Sequence, residues 1–416
     1  DGTNEEKFLV RKGADLFPFG VGSRAFAPAW SPDGEMIAFQ SRGASPSSGT
    51  SHVEIIQVKD KTTRTLAAQK WTSVGQLAWL SDQSGLVMAA AEDSSGALQQ
   101  IWFVAYPSGE ARRVTNDLTS YAGVSLTSDS KSLVTMQGEQ LSSIWVAPDN
   151  ATSRAVKITS GKTEGDDGVS WTPDGKIVYT SSSSGDQDIW IVNEDGSGQK
   201  QLTRNARRSS GSIASPDGRY IVFASTRTGD RNIWRIDVDG GNPKQLTEGH
   251  DDQWPCFTPD GRWILYVKTD ASPTLWKVPV DGGTPVQVTN YYTLKPAVSP
   301  DGRWIAAVFI DDKSSAKRYY ASIIPFEGGE PNPSLSFPTG RGRFMWTADS
   351  RSVIYVDTQG GVSNLWSQPV DGGPPRQLTD FNTDQIFWFD YSPILHKFAL
   401  ARGTQTSDVV LISDLK

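Results

Sequence analysis

The chain has 416 residues, 37% of them hydrophobic and 21% charged, with a formal net charge of −7 at pH 7. This balance reads as a soluble globular chain with no apolar run long enough to cross a bilayer. Scattered Lys and Arg residues under a negative net charge argue against a nucleic-acid partner, because neutralising phosphates needs a basic stripe. The single cysteine, Cys256, excludes an internal disulfide and reads as a buried thiol. Asp1 to Lys7 is polar and lacks the basic start and apolar stretch of a secretion signal.

The first element in chain order is an isolated apolar strand, Lys7-Phe8-Leu9-Val10-Arg11, and a repeat begins after it. Ser/Thr-Pro-Asp-Gly occurs at Ser31 to Gly34, Thr172 to Gly175, Ser215 to Gly218, Thr258 to Gly261 and Ser299 to Gly302. Degenerate copies stand at Ser81-Asp82, Ser128-Asp129, Thr347-Ala348-Asp349 and Ser392-Pro393, at spacings of about 41 to 49 residues, close to a propeller blade. Proline presets φ and glycine accepts positive φ, so each tetrapeptide joins two antiparallel strands. Apolar runs such as Tyr220-Ile221-Val222-Phe223 follow as strands. A further run carries tryptophan in Ile101-Trp102, Ile144-Trp145, Ile189-Trp190, Ile233-Trp234, Leu275-Trp276 and Leu365-Trp366. These rings are expected to pack between blades. An Asp-Gly turn and a last strand closing on Gln-Leu-Thr, as at Gln245 to Thr247, complete each unit.

Four short strands per unit, with no helical periodicity between them, predict an all-β fold: a single β-propeller of nine four-stranded blades, or eight if one weak unit is irregular. The last unit, Phe389 to Lys416, supplies three strands, a B strand near Lys397 to Ala401 and a C strand at Asp408 to Ser413 among them. The strand at Lys7 to Arg11 is expected to complete this blade and close the ring. One domain, 1–416, therefore divides into a closing strand and lead-in (1–26), blades one to eight (27–388) and the completed last blade (389–416).

The three histidines, His52, His250 and His396, lie in different units, and neither a metal-binding spacing nor a phosphate loop nor a Gly-x-Ser-x-Gly elbow occurs. No catalytic residue, metal or cofactor is expected. The acidic pairs Asp166-Asp167 and Asp251-Asp252 offer two ligands per loop where Ca²⁺ needs six or more, and they read as solvated loops. Asp188, Asn232, Asn364 and Asp408 are expected to hydrogen-bond the preceding loop. Propeller geometry gathers the connections between successive units at one face, and loops over a rigid scaffold concentrate binding residues. The predicted binding set is Arg24, Trp71, Tyr121, Asp167, Arg208, Asp252, Trp254, Tyr292, Arg343 and Asp384, rich in aromatic residues and arginine.

In its Ser/Thr-Pro-Asp-Gly, Asp/Asn-Ile-Trp and Gln-Leu-Thr signatures the chain resembles the WD-like repeats of TolB-type bacterial propellers over almost its whole length. Its closing segment, Arg402-Gly403-Thr404 through Ser413-Asp414, is similar to the end of propellers behind bacterial serine/threonine kinase or winged-helix domains. The resemblance implies a noncatalytic sensor or interaction propeller, extracytoplasmic and monomeric as an isolated domain. Its partner would be a protein, peptide or small ligand at the channel mouth. The gating propeller of a prolyl-oligopeptidase-like peptidase, a lyase working in the channel and a TolB-like assembly scaffold are the alternatives.

Overall fold

The repeated tetrapeptide closes each hairpin with one set of bonds. Ser215 Oγ donates to Asp217 Oδ1 at 2.6 Å and accepts the Tyr220 N–H at 2.9 Å, while Asp217 Oδ1 accepts the Arg219 N–H at 3.0 Å. The same three bonds recur at Ser31, Thr258 and Ser299. They recur also at Thr127 and Thr347, where the proline is missing. The hydroxyl and carboxylate therefore define the turn, each bond contributing about 1 kcal/mol net, and the proline only presets it.

A second circuit joins the other two signatures. Thr203 Oγ1 donates to Asp188 Oδ1 at 2.7 Å and accepts the Ile189 N–H at 2.9 Å. Thr379 repeats the pattern with Asn364 and Leu365, and Thr247 with Asn232 and Ile233. Asp188 also accepts from Ser184 in the preceding loop, as expected, but its main partner is the threonine ending the following strand. Asp408 does not hold such a place: it is exposed within the strand Lys397–Ser413.

The structure, a computed structural model, describes residues 28–42, 51–92, 98–117, 119–269, 272–311, 318–332 and 334–415. Apart from a short 3-10 turn at Thr152–Arg154, every regular element among them is a β-strand. The chain divides into two compact units, 1–139 with 405–416, and 140–404. The first unit holds two four-stranded antiparallel sheets, beginning at Ala29–Trp30 and Ser73–Trp79, around a core that includes Trp71, Trp79, Met88 and Trp102. Its third hairpin pairs Ser120–Leu126 with residues 133–138.

The second unit contains six sheets whose first strands are Glu164–Trp171, Ser209–Ala214, Asp252–Phe257, Thr293–Val298, Met345–Trp346 and Gln385–Ser392. Each packs on the next through a shared apolar cluster, and the sixth packs back on the first through Phe387, Trp388, Val169 and Trp171. The six sheets therefore close on one another. The sixth sheet runs Gln385–Ser392, Lys397–Ser413, Ser132–Pro148, Val156–Lys157, so its outer strands come from residues 132–157. This differs from the expected closure by Lys7 to Arg11, which lies outside the described residues.

The reason is the continuity of the last strand. Lys397–Ser413 is one continuous 17-residue strand and not two strands separated by a loop, so the third position of the sheet is left for 140–148. Gly403 fits that neighbour because a Cβ there would stand 1.9 Å from the Leu141 carbonyl oxygen. Among the described residues the fourth sheet has three strands, and its outer edge is met by a bridge between Ala321 and Phe337. The repeated tryptophans join the inter-sheet clusters as expected, with Trp102 and Trp234 buried.

Candidate functional site

In the second unit, the residue four places ahead of each turn's Ser, Thr or equivalent is Gly168, Gly211, Trp254, Lys295, Arg343 or Trp388. The first strands of the first five sheets touch in succession and the sixth touches the first, so these equivalent positions gather toward one another. All but Gly168 line one cleft with about 560 Å³ of free space, its open mouth included. The two glycines fall on adjacent sheets, and the aromatic and cationic residues occupy the other four. One repeat position therefore builds a lopsided ring.

At Gly211, Trp254 and Lys295 the backbone at this position is a β-bulge. Pairing slips between Ser210 and Ile213, between Gln253 and Cys256, and between Leu294 and Ala297. The bulged residue takes positive φ: 64° at Gly211, 57° at Trp254 and 54° at Lys295. Glycine accepts this freely, whereas a residue with a Cβ pays roughly 1–2 kcal/mol. Pro255 and Pro296 follow at the point where the ladder offers no partner for an N–H. Trp254 and Lys295 thus hold strained places in a cleft, the pattern of strain retained at functional sites.

The side chains are ordered by their neighbours. Trp254 stacks on Trp388 with ring centroids 5.6 Å apart and planes 8° from parallel, an arrangement worth about 1 kcal/mol beyond burial. Lys295 Nζ lies 5.6 Å from the Trp254 ring centre and donates to the Gly340 and Thr339 carbonyls at 2.7 and 3.4 Å. Burial, reinforced by the nearby Arg341 guanidinium, pulls this ammonium down to about 8. Arg343 donates to Asp390 Oδ1 at 3.2 Å, and Asp390 Oδ2 accepts from the Ser170 hydroxyl at 3.2 Å and the Trp171 N–H at 2.8 Å. Ser170 Oγ in turn accepts the Ala214 N–H at 3.2 Å, so one buried carboxylate ties four sheets together behind the ring. Cys256 lines the cleft too, and burial pushes its thiol up to about 12.

Of the ten predicted binding residues, Trp254 and Arg343 line this cleft. Trp71 is fully buried in the first unit, edge-on to Trp102, and Tyr121 is buried there with its hydroxyl donating to Asp117 at 2.5 Å. Asp167 faces Arg208 at 3.4 Å and accepts from Gln187 at 3.2 Å. Asp252 is 1% exposed, with its backbone N–H bonded to the Arg231 carbonyl. Tyr292 packs edge-on to Tyr319, and Asp384 pairs with Arg402 at 3.5 Å. Arg24 lies outside the described residues.

The connections between sheets are pinned, as the bridges Gln187 to Arg208 and Arg231 to Asp251 show. They are scaffold more than free loops. The acidic pairs meet arginines, Asp251 facing Arg231 at 3.2 Å. Among the described residues no three His, Cys, Asp or Glu side chains gather as a metal site. Lys295 belongs to the connections of the predicted binding face but not to the ten residues singled out, and Trp388 was missed; counting back four residues from each turn finds both.

A family described as the tricorn protease N-terminal beta propeller domain matches residues 184–394, and a TolB beta propeller domain matches 21–213. TolB from Acinetobacter baumannii shares 14% identity over 86% of this chain and 79% of its own, with a TM-score of 0.43. A putative TolB from Agrobacterium tumefaciens shares 18% over 84% and 96%, at 0.36. The tricorn protease shares 10% over 98% of this chain and 59% of its own, at 0.38. No curated protein matches the sequence. With a family match over half its length, the chain belongs to the family of the tricorn protease N-terminal beta propeller domain, and its first half is similar to the TolB beta propeller domain.

Proposed function

We propose that the chain is a noncatalytic binding propeller, serving as a sensor or interaction module outside the cytoplasm, with its ligand seated in the cleft of the second unit. The observation that carries this reading is the retention of Trp254 and Lys295 at positive φ where Gly211 shows that glycine suffices. Cost without benefit to the fold is what a binding role explains. Against catalysis stands the chemistry of the lining. Its one thiol is held far from the thiolate, and among the described residues no histidine, aspartate or glutamate lines it.

A pool of N-acetylated tetrapeptides titrated against the full chain, followed by tryptophan fluorescence and by product analysis, tests the reading. Saturable fluorescence change without turnover is expected, and Trp254→Leu should abolish the change. Steady hydrolysis of the pool, or turnover of a polysaccharide in a parallel assay, would replace binding by catalysis.

A further inference from the structure

We propose that the ligand of this cleft carries a carboxylate, received by Lys295 with Arg343 beside it, while its apolar part lies against the ring of first strands. This deepens the reading above and rests on it. Lys295 spends two ammonium hydrogens on the Gly340 and Thr339 carbonyls, which leaves one for a ligand. Among the described residues no carboxylate forms an ion pair with it, whereas Arg343 is already matched by Asp390. The local excess charge is therefore the ammonium of Lys295, half-buried and at a conformation costly for any residue with a Cβ.

A packing role would be filled at lower cost by glycine, as at Gly211, or by an apolar chain. A half-buried cation without a counter-charge gains from an incoming anion, since the lowered dielectric strengthens the pair. The donors on offer are few: one ammonium hydrogen and the part of the Arg343 guanidinium not turned to Asp390. Two carboxylate oxygens match them, whereas a phosphate would leave acceptors unmet in a partly dry site. The remaining walls, Ile213, Pro255, Phe344 and Met345, are apolar and suit a hydrocarbon portion next to the carboxylate.

The carboxylate could belong to a peptide's carboxy terminus or to an acidic side chain, and four probes separate these sources. They are acetyl-Ala-Ala-Ala-Leu as the free acid, the same peptide as its amide, acetyl-Ala-Ala-Ala-Glu amide, and inorganic phosphate, each titrated calorimetrically against the full chain. At least one of the two acids should bind about tenfold or more tighter than the neutral amide, the loss of one charge-assisted contact. Lys295→Met should erase that difference. Lys295→Gly should erase it too while raising the thermal midpoint, which a residue kept for structure would not do.

Equal binding of acid and amide would overturn the carboxylate and leave the cleft reading standing. Phosphate binding above both acids would also overturn it, as would no binding of either acid. Unchanged acid affinity in both Lys295→Met and Arg343→Gln would instead place the binding site elsewhere and remove the proposed function with it.

Discussion

Two levels of the second unit, four residues apart along each first strand, follow opposite rules. At the turns the same hydroxyl and carboxylate recur with the same bonds, as at Ser215-Asp217, Thr258-Asp260 and Ser299-Asp301. At the bulge the backbone geometry recurs while the side chain runs through Gly211, Trp254 and Lys295. Repetition of residue and bond marks a position that the fold needs. Variety on a fixed backbone, especially variety that strains it, marks a position the fold only carries. The difference separates scaffold from site without any comparison between proteins.

The comparison is tested hardest at Asp390, the buried carboxylate behind the ring. Asp390→Ala strands Arg343 and the Trp171 N–H, and urea denaturation should show a loss of about 3 kcal/mol. A loss below about 1 kcal/mol would mean that the sheets do not rely on this tie. Next comes the scaffold circuit. Thr379→Val removes the acceptor for the Leu365 N–H and the donor to Asn364, and should cost about 1–2 kcal/mol by the same measurement.

The ring level itself gives a mirrored pair. Gly211→Ala places a Cβ 3.1 Å from Pro255 Cδ at φ +64° and should destabilise by about 1 kcal/mol or more. Lys295→Gly relieves the same conformation and should stabilise by up to about 1 kcal/mol. If both substitutions destabilise equally, Lys295 is a structural residue and the contrast between the levels fails.

The smallest effect is a pH dependence at Asp166. Burial, then the Asp167 carboxylate, raises it to about 7, and its Oδ1 is shut from solvent with no hydrogen-bond partner among the described residues. A carboxyl raised in the folded state contributes stability that is complete below its ordinary value near 3.8 and lost as pH climbs through about 7. Asp166→Asn cannot ionise, so its thermal midpoint relative to the wild type should rise between pH 5 and pH 8. A constant difference across that range would contradict the assignment.

The repeat, the strands and the turn chemistry were legible in the sequence because each depends on residues within a few places of one another. Closure was not, since it hinges on whether 397–413 breaks or continues as one strand. That is decided by the approach of Gly403 to Leu141, more than 250 residues away in the chain. Of the site, Trp254 and Arg343 were readable as aromatic and cationic residues in connections. Trp71 and Tyr121 had the same composition signal but are core, which exposure alone distinguishes. Lys295 was readable in the same way, as a cationic residue in a connection, whereas Trp388 carried a positional signal that composition does not reveal.

The most direct measurement is an indole ¹⁵N–¹H spectrum of the full chain titrated with the acetylated tetrapeptide pool, with Trp254 and Trp388 assigned through their phenylalanine variants. The expected result is saturable shifts of those two signals while Trp102, in the first unit, stays in place. Shifts confined to other tryptophans, with Trp254 and Trp388 unmoved, would contradict the assignment of the bulge ring as the binding site.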